Sequence, residues 1–110
     1  MNANEALELG LRHLNAKRYS EAEAVFRQAL AGEPAHLGLL NNLGSALIGQ
    51  ARAAEAQNVL RQALAVSPDH PVVLRNLADA LRSAGDLAGA EKVLHEAIAV
   101  APGIAASHYQ

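Results

Sequence analysis

The chain has no cysteine. Disulfides, thiolate metal centres and thiol nucleophiles are therefore excluded together, and the composition suits a reducing compartment. Aromatic residues are nearly absent too: Tyr19, Phe26 and Tyr109 are the only ones, so no platform exists for stacking bases. There is no excess of positive charge. The formal net charge is −2 over 110 residues, which provides no field for a phosphate backbone or an anionic membrane. Neither nucleic acid nor a membrane is expected as a partner. No apolar run approaches the roughly 20 residues that span a bilayer, and the opening MNANEALELG carries acids where a secretory leader needs a basic segment and an apolar core. These absences point to a soluble, cytoplasmic chain.

Recognisable catalytic chemistry is missing as well. The five histidines, His13, His36, His70, His95 and His108, show no pairing at metal-ligand spacing. No serine stands in a nucleophile elbow, and no glycine loop is built to cradle phosphate. Glu21 and Glu23 fall on one helical turn, where carboxylates serve solubility and the helix dipole. No catalytic residue, metal or cofactor is expected, so any catalytic domain would have to lie beyond residue 110.

What the chain does have is internal repetition. Written as three rows, 3–36, 37–70 and 71–104, it keeps roughly 13 of 34 positions identical between neighbouring rows. A period of this length marks a solenoid, whose units cannot bury their apolar faces alone and must stack. Within each row the apolar residues recur at helical spacing twice. In the second, Leu40, Leu43 and Leu47 are followed, after a break at 50–53, by Ala56, Val59, Leu60, Ala63 and Leu64. The third row repeats this with Leu74, Leu77 and Leu81, then Ala90, Val93, Leu94, Ala97 and Ile98. Six helices are predicted, at about 3–15, 20–32, 37–49, 54–66, 71–83 and 88–100.

Punctuation agrees. Pro34, Pro68 and Pro102 stand just past each second helix, which proline cannot continue. Pro71 suits a first helical position, Gly85–Asp86 a turn into a helix capped by Asp86, and Ser20 with Glu23 a capping box. Gly10, Gly44 and Ala78 fall in register on the first helices, and small residues at fixed places let helices approach closely.

These residues resemble the tetratricopeptide repeat family, whose units pair two antiparallel helices with a pattern of large, Leu, Gly, large, then Ala, large, Ala, Pro. The second unit shows it as Leu40, Leu43, Gly44, Leu47, Ala56, Leu60, Ala63 and Pro68. The third departs at Ala78, and the first at Ala6 and His13. The resemblance covers about residues 3–104 and implies an all-α, right-handed solenoid of three units. Its first helices would line a concave groove that binds a peptide or protein, making the chain a non-catalytic interaction module.

Carried over by register, the groove residues are Leu7, Leu11 and Leu14 in the first unit, Asn41, Asn42, Ser45 and Ile48 in the second, and Arg75, Asn76, Asp79 and Arg82 in the third. Asn42 and Asn76 resemble the asparagine ladder of O-GlcNAc transferase-like repeats, which holds a peptide by its main chain; Glu8 interrupts the ladder in the first unit. An amide both donates and accepts, so it can pair with any peptide group, or it can brace a neighbouring turn instead. The Leu7/Leu11/Leu14 stripe suits an apolar anchor, packing within its own unit, or contact with another copy. Arg75, Asp79 and Arg82 suit either an ion-paired solvated face or recognition of an acidic group. The carboxylate clamp of chaperone-binding relatives does not fit, because its lysine and asparagine places hold Leu7 and Leu11.

The segment 105–110 aligns with the opening of a fourth unit, or is a disordered tail. Val93, Leu94, Ala97 and Ile98 would then have nothing after them to cover one side, an alternative site of self-association. On this reading the chain is the N-terminal part of a larger protein, and the resemblance allows it to be the substrate-docking part of a glycosyltransferase or sulfotransferase.

Overall fold

The computed structural model describes residues 1–100. Six helices follow one another: α1 (Ala3–Asn15), α2 (Tyr19–Gly32), α3 (Leu37–Gly49), α4 (Ala53–Val66), α5 (Pro71–Ser83) and α6 (Leu87–Val100). The described residues form no strand. Second helices start one residue earlier than the spacing predicts. Pro102, the end of the third unit and the segment 105–110 lie outside the described residues.

Each unit is an antiparallel pair, and each pair packs on the next: α1 on α2, α3 on α4 and α5 on α6, with α2 on α3 and α4 on α5 joining the units. The apolar stripes explain the pairing. Phe26, Leu39, Leu43, Leu47, Leu60, Val73 and Leu77 are fully buried along one continuous core. Each such side chain contributes about 1.5–3 kcal/mol of transfer free energy, enough that stacking outweighs the marginal stability of isolated 13- and 14-residue helices.

The residues in register on the first helices are points of closest approach. A Cβ on Gly10 would lie 2.1 and 2.3 Å from the Phe26 ring, and one on Gly44 would lie 2.6 Å from Leu60. The glycines are therefore required by the neighbour, although each costs about 1 kcal/mol in a helix relative to alanine.

The turns inside the units share one conformation. Lys17, Ala51 and Gly85 occupy the same register place and have φ of 59°, 60° and 87°. The next residue in each unit donates its N–H five residues back: Arg18 to His13, Arg52 to Leu47 and Asp86 to Leu81, at 2.8–2.9 Å. The left-handed region suits glycine, which only the third unit supplies. Ala51→Gly is expected to raise stability by about 1 kcal/mol and Gly85→Ala to lower it by about the same, because no atom lies within 4 Å of a Cβ on Gly85. Urea unfolding of the two variants checks both signs.

Helix starts are capped in different ways. Asn2 and Glu5 form a reciprocal capping box on α1, His36 Nδ1 accepts the Leu39 N–H at 3.2 Å, Pro71 is the first residue of α5, and Asp86 Oδ1 accepts the Gly89 N–H at 2.9 Å. The capping box expected at Ser20 and Glu23 is not formed. The residue preceding α2 is Arg18, without a side-chain cap, and both Ser20 and Glu23 turn to the second unit instead.

Candidate functional site

The solenoid has an inner and an outer layer. First helices touch in succession, α1 with α3 and α3 with α5, whereas among the described residues α2 does not reach α4, nor α4 reach α6. Helices that pack on one side and splay on the other curve the array, with α1, α3 and α5 on the concave side. The residues assigned to the groove by register lie on these three helices.

Asn76 is tied to the preceding unit. Its Nδ2 donates to Asn41 Oδ1 at 2.8 Å and to Ser45 Oγ at 3.4 Å, joining α5 to α3. Bracing is thus part of its role, and the brace runs to the preceding unit rather than to a neighbouring turn. Asn42 is half-buried and its side chain makes no hydrogen bond among the described residues. Leu7, Leu14 and Ile48 pack against the core, while Leu11 stays 41% exposed. The leucine stripe is therefore divided: two members pack and one faces solvent. Asp79 and Arg82 pair at 2.9 Å, and with Ile48 and Ser83 they line a depression of about 400 Å³. Arg75 is exposed and forms no ion pair among the described residues.

The expected self-association set is also redistributed. Ala97 is buried, Val93 and Leu94 are half-buried against the core, and only Ile98 is largely exposed. Val93 and Ala97 face their own unit. Leu87, at the start of α6 and outside that set, is exposed instead.

A family model described as tetratricopeptide repeat matches residues 13–61 and 47–110. The chain belongs to the tetratricopeptide repeat family. No curated protein matches it significantly. Among solved structures, the type III secretion chaperone SycD of Yersinia enterocolitica, in complex with a peptide of the translocator YopD, superposes with a TM-score of 0.82 at 18% identity over 88% of this chain and 74% of that one. The first tetratricopeptide domain of Spaghetti (RPAP3), bound to the HSP90 peptide SRMEEVD, gives 0.85 at 20% identity over 91% and 79%. The Sgt2 domain of Aspergillus fumigatus gives 0.84 at 24% identity, and the match covers 88% of this chain and 64% of that one. At these identities the likeness is one of fold.

The junction of the first two tetratricopeptide units carries a polar network that the repeat pattern does not reveal. Glu23, on α2, accepts from Arg27 Nε at 2.8 Å, Gln50 Nε2 at 3.0 Å and Arg52 Nη1 at 2.7 Å, and Arg52 also pairs with Glu55. The Glu23 side chain is only 14% exposed. Burial alone would raise its pKa, but hydrogen bonds from Gln50, Arg27 and Arg52 override it and lower the value from 4.5 to about 2. A carboxylate with a depressed folded-state pKa stabilises the fold fully above its unfolded value and loses that contribution as pH falls towards the folded one. Stability is therefore expected to decline from about pH 4.5 to pH 2. Glu23→Gln should remove about 1–2 kcal/mol at pH 7 and flatten this part of the profile, because two of the partners are partly solvent-screened. Urea midpoints measured between pH 2 and 7 test it. Among the described residues no group of His, Asp and Glu is placed to hold a metal ion, and no helix is long and apolar enough to cross a membrane.

Proposed function

We propose that this chain is a non-catalytic interaction module that binds an extended segment of a partner protein along the groove of α1, α3 and α5. The observation that carries the reading is the unused hydrogen-bonding capacity of the groove amides. After the bond between them, Asn76 keeps its Oδ1 and Asn41 its Nδ2, and Asn42 keeps its whole amide. Donors and acceptors in alternation suit a peptide main chain, whatever its side chains. The three asparagines are half-buried with their unused amide atoms open to water, and a ligand main chain would take the place of that water.

The ends of the groove differ, which gives the ligand a direction. Leu11 offers an apolar contact at the α1 end and Arg75, unpaired among the described residues, a cation at the α5 end. The acidic C-terminus held by a carboxylate clamp does not suit this groove, because Leu7 and Leu11 stand where the clamp needs polar donors.

The test is selection of peptides from a displayed library of random dodecamers, followed by anisotropy titrations. Selected peptides are expected to carry an apolar residue and an acidic residue at opposite ends. Replacing Asn42 and Asn76 together with alanine should weaken them about tenfold, as expected from losing two net hydrogen bonds. Equal binding to the wild-type chain and the double variant would remove the groove assignment.

A further inference from the structure

The two junctions between units are packed alike and tied differently. Leu39 and Ala46 on α3 stand in the register places of Val73 and Ala80 on α5, and all four are fully buried, as are Phe26 on α2 and Leu60 on α4. Apolar burial therefore holds both junctions closed. It is non-directional, however, so it fixes how closely two units approach more firmly than the angle between them. The angle falls to groups with fixed bond directions.

At the first junction these groups lie where α2 meets the turn between α3 and α4. Glu23 on α2 accepts from Gln50 and Arg52 of that turn at 3.0 and 2.7 Å, and Ser20 Oγ donates to Gln50 Oε1 at 3.4 Å. Beside them the Tyr19 ring is pressed onto the last turn of α3, where a Cβ on Gly49 would lie 2.4 Å from two ring carbons. The second junction does not rebuild this. In the same register places α4 has Ala53, Ala54 and Gln57 for Tyr19, Ser20 and Glu23, and the turn between α5 and α6 has Ala84 and Asp86 for Gln50 and Arg52. Asp86 caps α6 instead, accepting the Gly89 N–H at 2.9 Å. Among the described residues no side-chain hydrogen bond or ion pair joins α4 to α5 or α6.

The second junction is tied on its other edge. Asn76 on α5 donates to Asn41 and Ser45 on α3, and the first junction has no such bond because Leu7 and Leu11 fill the places of Asn41 and Ser45. Towards the ends of α3 and α5, Ile48, Asp79, Arg82 and Ser83 leave the depression of about 400 Å³.

We propose that the array hinges at its second junction: α5 and α6 rotate as one body about the bond between Asn41 and Asn76, and their turn swings relative to α4, while the first two units move together. Rotation about the one tied edge breaks no side-chain hydrogen bond. The same rotation at the first junction must break the bonds of Glu23 to Gln50 and Arg52. Motion is thus confined to one interface, as in a rigid-body hinge. It changes the spacing of α3 and α5 and leaves that of α1 and α3 fixed, so the groove adapts at its α5 end. That consequence rests on the groove reading; the hinge does not.

The absence of cysteine makes the test direct. Ala24, Asn58 and Lys92 occupy one register place on α2, α4 and α6, and all three are exposed. In the full chain, spin labels on Ala24→Cys with Asn58→Cys span the first junction, and labels on Asn58→Cys with Lys92→Cys span the second. The second distance distribution is expected to be at least about twice as broad as the first. Glu23→Gln, and separately Arg52→Ala, should broaden the first and leave the second unchanged, with circular dichroism confirming that each variant is folded. Equal widths without these substitutions, a broader first distribution, or a first distribution that neither folded variant broadens would overturn the proposal.

Discussion

Truncating Phe26 to alanine is expected to destabilise the array by about 3–5 kcal/mol, the range for removing a large buried aromatic side chain. The ring is fully buried, sits over Gly10 of its own unit, and belongs to the face of α2 that α3 covers. Its loss therefore weakens the first unit and the junction to the second together. In a solenoid such damage need not melt the whole chain, because stability is approximately a sum of units and nearest-neighbour interfaces. Urea unfolding followed by circular dichroism should show a lower midpoint. A shallower slope would mark separate unfolding of the first unit, since the slope scales with the surface exposed. Phe26→Leu should cost less than about 1.5 kcal/mol, because Leu60 and Leu94 fill the same register place in the other units.

Gly10→Ala is the second large effect, and its sign is opposite to the one helix propensity suggests. Alanine is favoured over glycine inside a helix by about 1 kcal/mol. Here, however, the new methyl group would lie 2.1 Å from one ring carbon of Phe26 and 2.3 Å from another. The ring is rigid and fully buried, so α1 and α2 must separate to admit it. A net loss of about 2 kcal/mol is expected, in the middle of the range for overpacked cores. The third unit indicates the remedy: it pairs Ala78 with Leu94 where the first pairs Gly10 with Phe26. Combining Gly10→Ala with Phe26→Leu should recover at least about 1 kcal/mol over Gly10→Ala alone, a coupling typical of residues in contact. Additive midpoints in the double-mutant cycle would show that the clash is relieved elsewhere.

Much of this architecture is legible in the one-dimensional pattern. Leu40, Leu43 and Leu47 with Ala56, Leu60 and Ala63 mark two amphipathic faces, and Pro71 and Asp86 mark helix starts through local geometry alone. Features that depend on a neighbouring unit are harder to read. Ser20 and Glu23 have capping-box spacing, but Glu23 is drawn across the junction by Arg52 and Gln50, residues about 30 positions away. That Asn76 bonds to Asn41 does not follow from register, because it depends on how far α5 slides along α3. On α6, spacing distinguishes apolar from polar but not which of two apolar stripes the partner helix covers. Val93 and Ala97 pack inward while Leu87 and Ile98 face out. The turn conformation at Lys17 and Ala51 was hidden for a simpler reason: neither is the glycine that such a turn favours.

The packing also bears on how quickly the chain folds. Among the described residues no helix touches one more than two places away in the sequence, so every contact closes a short loop. Low contact order of this kind belongs to proteins that fold in microseconds to milliseconds. The central helix α3 touches α1, α2, α4 and α5, more partners than its neighbours have. A nucleus formed at α3 and α4 can grow towards either end, one hairpin at a time. A local error then halts growth at that hairpin without trapping the rest of the chain in a wrong topology.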